Sequence, residues 1–239
     1  MGKAKWWTAL AVGAAFLASD GVQAQDHSEP RGFVGLSFVA GNPLGDLGNF
    51  FDQGFGAQLD GSWAMTEDGR LRLRADVGAL VYGHERFGLC HPVGCRIGVD
   101  LTTTNNIFFA GIGPEYALSA GDFEPYVFGT MGLSYFATIS SLSGADEYND
   151  YFDTTNYSDV VMAWTFGGGA RVRVHQGAHP VSLDFGLERH ENGIANFLTE
   201  GDIFDNPDGS ITLFPNRSEA NLMTFRFGVS VGFGGERLD

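Results

Sequence analysis

The chain has 239 residues, with 14 Lys and Arg against 29 Asp and Glu, for a formal net charge of -15. Such acidity excludes nucleic acid as a partner, because that binding depends on cationic contacts to phosphate. The length suits one domain. No stretch is apolar for long enough to make a membrane-spanning helix. Gly accounts for 35 residues, about twice its usual share, with no collagen period to explain it.

Lys3 and Lys5 precede an apolar run from Trp6 to Ala18, and Val22 and Ala24 are small residues at the positions a signal peptidase reads. This pattern predicts a signal peptide over 1–24, leaving 25–239 as a single exported domain. That domain contains no Lys, so Arg is its only fixed cation. A soluble secreted protein carries Lys on its watery faces, and its absence suggests that much of this surface does not meet water.

Eight strand-like stretches follow in order, at 32–41, 54–65, 70–82, 103–118, 124–141, 160–175, 180–190 and 221–234. The intervals 66–69, 119–123 and 176–179 are short and rich in turn residues, such as Thr66-Glu67-Asp68-Gly69. The intervals 42–53, 83–102, 142–159 and 191–220 are long. Short turns on one side and long loops on the other are the pattern of an outer-membrane barrel with its termini in the periplasm.

Alternation within the strands assigns their faces. The last strand sets Phe225, Phe227, Val229, Val231 and Phe233 against Thr224, Arg226, Gly228, Ser230 and Gly232. The sixth and seventh strands alternate likewise, with Trp164, Phe166, Phe185 and Leu187 opposite Arg171, Arg173, Asp184 and Glu188. An inward-apolar soluble barrel would turn Gly, Arg and Ser to water, so the apolar face is assigned to lipid. Trp63, Tyr116, Phe123, Tyr126 and Phe233 are expected in one aromatic girdle, and Phe55, Tyr82, Tyr135 and Trp164 in the other. The fold class is therefore all-β, an eight-stranded antiparallel up-and-down transmembrane β-barrel with short periplasmic turns and long extracellular loops. Its expected location is the bacterial cell outer membrane.

The inward positions collect Arg72, Arg74, Arg171, Arg173 and Arg226, and the anions Asp60, Asp76, Glu115, Asp184 and Glu188. A barrel of this size is filled by its own side chains, and buried charges are tolerated only when paired and hydrogen-bonded. These residues predict a lumen charge network that acts as a structural plug. A conduction pathway with a rearranging Arg–carboxylate pair is the alternative.

In the second long loop, Cys90 and Cys95 are expected to form a disulfide in an oxidising envelope. A metal site with His91 as third ligand lacks a fourth. The third and fourth long loops are acidic, with Tyr148, Tyr151 and Tyr157 interleaved in the third. The segment around Gly209 resembles an EF-hand loop, yet Phe204 and Pro215 fall where oxygen donors are required. No metal or cofactor is therefore assigned, although a looser site in which acidic-loop carboxylates share a divalent cation at the lipopolysaccharide surface stays open.

Arg226, Gly228, Val231 and Phe233 resemble the C-terminal assembly signal of bacterial outer-membrane barrels, although the chain runs on to Asp239. The strand from Pro125-Tyr126 through Gly129 and Gly132 to Tyr135 is similar to one in the OmpA-like, OmpX-like and OmpW-like group. The resemblance implies assembly through the last strand by the barrel-assembly machinery. It also implies contact with outer-membrane lipid and lipopolysaccharide, and an extracellular ligand of unknown identity. Lipid A deacylases of this size carry His-x-Ser-Asn; here Arg189 and Glu191 replace the His and Ser before Asn192. Outer-membrane proteases use Asp-x-His, which does not occur after position 24. The expected function is a non-enzymatic barrel serving envelope integrity or interaction through acidic surface loops. A narrow porin-like channel for small or hydrophobic solutes is the alternative, followed by a lipid-modifying enzyme.

Overall fold

Period-2 segments with one apolar face close into a barrel because closure satisfies every strand edge. In the computed structural model, which describes residues 30–90, 98–144, 150–208 and 210–234, eight strands do so. They are β1 (Gly32–Pro43), β2 (Gly54–Ala64), β3 (Leu71–Cys90), β4 (Gly98–Ala117), β5 (Phe123–Gly144), β6 (Asp150–His175), β7 (Val181–Asn192) and β12 (Leu222–Phe233). The order around the barrel is β1-β12-β7-β6-β5-β4-β3-β2, and every pairing is antiparallel. Closure is made by β1 on β12, running from Gly32 opposite Phe233 to Pro43 opposite Leu222. The sequence-predicted signal peptide and Cys95, and with it the expected disulfide to Cys90, lie outside the described residues.

Turn chemistry decides the short-turn end. In the turn between β2 and β3, Gly69 has φ 66 and its N–H donates to Thr66 O at 3.1 Å, a left-handed conformation that glycine adopts without a Cβ penalty. At the other end β3 to β6 run well past the predicted limits, with β6 reaching 26 residues against 12 in β1. Asp153, Tyr157 and Asp159 therefore stand on a strand and not in a loop. Its Thr and Tyr residues suit a strand, yet the segment carries polar residues on both faces, so alternation gives no signal there.

The fourth long loop folds too. Within it, β8 (Ile194–Phe197) pairs with β11 (Asn216–Glu219), and β9 (Ile203–Asp205) pairs with β10 (Ile211–Leu213). A 3-10 turn at Gly45–Asn49 follows β1.

The faces follow the alternation. Leu36, Phe38, Leu59, Val77, Met162, Phe166 and Phe227 are exposed on the outside of the barrel, and Arg74, Glu115, Asp184 and Ser230 are fully buried on the inside. Two expected girdle members go the other way, since Tyr126 and Tyr82 are buried in the interior. Each lies an even number of residues from an inward charge on its own strand, Glu124 and Asp76, and strand parity overrides aromatic character. Inward glycines leave room for such rings. A Cβ on Gly78 would stand 2.2 Å from Phe109 Cζ, and one on Gly169 would stand 2.6 Å from the Tyr126 hydroxyl.

Candidate functional site

The lumen is filled in two tiers. The lower tier, toward the short turns, is ionic. Arg72 forks onto Glu124 at 2.5 and 2.8 Å, and Arg171 forks onto Glu115 at 2.9 and 3.0 Å while reaching Glu124 at 2.9 Å. Arg74 Nη1 donates to Glu115 at 3.0 Å and lies 3.3 Å from Asp60. Arg226 donates to Asp60 at 3.0 Å and to the Tyr126 hydroxyl, and its Nε stands 2.8 Å from Glu188. Tyr126 in turn donates to Asp184 at 2.6 Å. The planar guanidinium fork suits such bidentate contacts.

Aromatic rings complete the solvation of these cations. Arg74 lies 4.3 Å from the Phe128 ring centre, Arg171 lies 4.2 Å from that of Tyr126, and Arg72 and Arg171 lie 4.7 and 4.6 Å from that of Phe33. A guanidinium over a ring face is favoured further when water is excluded.

Nine of the ten residues assigned to the lumen network stand in this tier, namely Arg72, Arg74, Arg171, Arg226, Asp60, Asp76, Glu115, Asp184 and Glu188, all of them buried. Arg173 does not. It sits at the short-turn rim, 3.6 Å from the exposed Asp122. Glu124 and Tyr126 belong to the tier without having been assigned to it, although the alternation of Phe123, Pro125 and Val127 would have placed both inward. Four guanidinium groups therefore face six carboxylates, and the even balance of the sequence assignment does not hold. Asp76 is the least engaged, with Oδ1 3.7 Å from Arg74 Nε and no hydrogen-bond partner.

Above this lies His190, whose ring nitrogens are 3.1 Å from Thr165 Oγ1 and 3.0 Å from Thr224 Oγ1. It marks the boundary with an apolar tier. Val39, Leu80, Ile107, Phe109, Phe136 and Leu222 project inward from the wall, and the loops fill the space between them. Leu47 enters from the 3-10 turn and Phe197 from β8, with Ala195 and Ala220 beside it. Phe197 packs edge-on against Phe50 at 5.2 Å, and Tyr82 donates to Leu198 O at 3.0 Å.

Hydrogen bonds hold this cap. Asp159 Oδ2 accepts from Asn196 N and Nδ2 at 2.7 and 2.9 Å, and Asn192 donates to Ala220 O at 2.7 Å. Asp202, one of the loop acids, accepts from Thr199 N and Oγ1 at 2.7 and 2.8 Å. The cap has a faint sequence signal, Ala195-Asn196-Phe197-Leu198, an apolar cluster inside an otherwise acidic loop. Among the described residues no group of three or more His, Cys, Asp or Glu is placed to hold a metal ion.

The residues expected to form the assembly signal lie on β12, with Arg226 and Gly228 inward and Val231 and Phe233 outward; Phe233 rests against Trp63 at 5.5 Å.

No protein-family model matches the sequence, and no curated protein matches it. Among solved structures, the chain is similar to Neisserial surface protein A at 13% identity, over 84% of this chain and 97% of that one, with a TM-score of 0.48. It is also similar to Ail, the attachment invasion locus protein of Yersinia pestis, solved in complex with the heparin analogue sucrose octasulfate. Identity there is 11%, over 87% of this chain and 100% of that one, with a TM-score of 0.41. A major outer membrane protein from Thermus thermophilus matches at 12% identity over 84% and 99%, with a TM-score of 0.39. The architecture stands on the chain's own geometry: a closed barrel with an apolar exterior and an ionic interior is built for lipid outside and protein inside. The chain is a closed eight-stranded antiparallel β-barrel with an apolar outer face and an ionic interior.

Proposed function

We propose that the chain is a non-enzymatic barrel, closed to solutes, that serves envelope integrity or interaction through its folded extracellular face. The observation that carries this is the double closure of the lumen. Ion pairs fill the lower tier, and Leu47 and Phe197 fill the upper one. A narrow channel would need both tiers to part. The non-enzymatic reading is supported by His190, which is buried between two threonine hydroxyls and faces no open cleft.

The cap leaves a surface above the membrane on which Phe204, Ile211 and Phe214 are exposed beside Glu200, Asp205 and Asp208. Mixed aromatic and acidic loops of this kind suit contact with an extracellular ligand, and the surrounding outer-membrane lipid and lipopolysaccharide are further partners. The assembly machinery is engaged through β12. The test is electrical. Purified protein in planar bilayers gives no steady conductance, and regular steps of uniform size overturn the closed-barrel reading in favour of the channel.

A further inference from the structure

The lipid-facing side of β6 and β7 carries a strip that neither the lumen nor the cap uses. Three outward pairs follow one another up the wall: Gly168 with Leu187, Phe166 with Arg189, and Trp164 with Glu191. At the lowest pair the missing side chain of Gly168 opens a shallow apolar recess walled by Phe166, Leu187 and Met223, with Arg189 at its upper edge. A second recess continues above it, lined by Trp164, Glu191, Ile194 and Glu219.

A charged pair on the outer wall marks where the apolar band ends, because lipid-facing Arg is tolerated near the interface and destabilising at the midplane. Arg189 donates through Nε to Glu191, with 53% of its side chain exposed. That bond orients the guanidinium and leaves its Nη donors for another acceptor. Read outward from the bilayer, the strip therefore runs apolar groove, cation, carboxylates. A lipid presents the matching order, acyl chain, phosphate, amine. Residues two apart on a strand tilted by about 40° are separated by about 5 Å along the membrane normal, the order of the phosphate-to-amine distance in phosphoethanolamine.

We propose that this strip binds a membrane lipid whose headgroup is phosphoethanolamine. The acyl chain lies in the recess at Gly168, the phosphate accepts hydrogen bonds from Arg189, and the ammonium donates to Glu191 and Glu219. The assignment rests on the barrel being embedded with its long loops outward.

The test is native mass spectrometry of the detergent-folded protein with phosphatidylethanolamine and phosphatidylglycerol of identical chains. The ethanolamine lipid is retained at least tenfold over the glycerol lipid. Arg189→Gln lowers retention of both, whereas Glu191→Gln combined with Glu219→Gln brings the ethanolamine lipid down to the level of the glycerol lipid. Equal retention of the two lipids by the unaltered protein, or full retention by Arg189→Gln, overturns the site. Competition by free phosphoethanolamine marks a soluble-headgroup site and overturns the lipid assignment. Gel mobility before and after boiling reports folding for each variant. Loss of the heat shift in the unaltered protein would fell the embedded-barrel reading itself, a result distinct from non-selective lipid retention by a folded barrel.

Discussion

Two carboxylates of the ionic tier separate geometry from charge count. Glu115 accepts two hydrogen bonds from Arg171 and one from Arg74, at 2.9 to 3.0 Å. Replacing it with Gln preserves its size but turns an amide donor toward guanidinium donors. Breaking a buried pair in this way costs about 3–5 kcal/mol, since the remaining charges stay desolvated. Asp76→Asn removes a carboxylate whose Oδ1 lacks a hydrogen-bond partner and whose nearest guanidinium atom is 3.7 Å away, so its effect stays within about 1 kcal/mol. The assay is urea unfolding of the folded barrel in lipid vesicles, followed by tryptophan fluorescence. With a denaturant slope of about 1–3 kcal/mol per molar, Glu115→Gln lowers the midpoint by at least about 1 M. Six carboxylates face four guanidiniums, so a tier governed by charge balance alone would be relieved equally by either substitution. Equal midpoints for the two variants would therefore refute the argument from hydrogen-bond geometry.

Gly78→Val drives a side chain into the Phe109 ring, whose Cζ stands 2.2 Å from the added Cβ position. Overpacking of this kind costs about 1–3 kcal/mol, and the same unfolding assay shows a smaller loss in a Phe109→Leu background. At the short turn between β2 and β3, hydrogen bonds from the Thr66 hydroxyl at 2.6 Å and the Arg70 backbone N–H hold the Asp68 carboxyl below its ordinary value of 3.8. A group depressed in the folded state contributes stability above its unfolded pKa and loses it as pH falls through the folded one. Thr66→Val moves the Asp68 titration, followed by NMR, back up toward that ordinary value; an unchanged titration would show that the hydroxyl is not the main cause.

The strands themselves were legible because their signal is local. Trp164, Phe166, Phe185 and Leu187 alternate with Arg171, Asp184 and Glu188 whatever the rest of the chain does, and period 2 converts that alternation directly into two faces. Turn residues at 66–69, 119–123 and 176–179 then set which end is short, and with it the up-and-down topology. Legibility failed where one local cue overruled another, as at Tyr126, where aromatic character suggested a girdle and parity dictated the interior. It also failed in the upper half of β6, where both faces are polar and no alternation exists to be read.

Partnership was a matter for the tertiary structure alone. Arg226 meets Asp60 across 166 residues of sequence, a contact produced by barrel closure and stagger, which no local pattern encodes. The same closure recruits Glu124 to the ionic tier and sends Arg173 to the rim, because height along the wall, and not inward direction, decides which charges meet. The cap is of the same kind. Leu47 and Phe197 are ordinary apolar residues in polar loops until the ring of Leu80, Ile107, Phe109 and Phe136 below gives them a dry place to go.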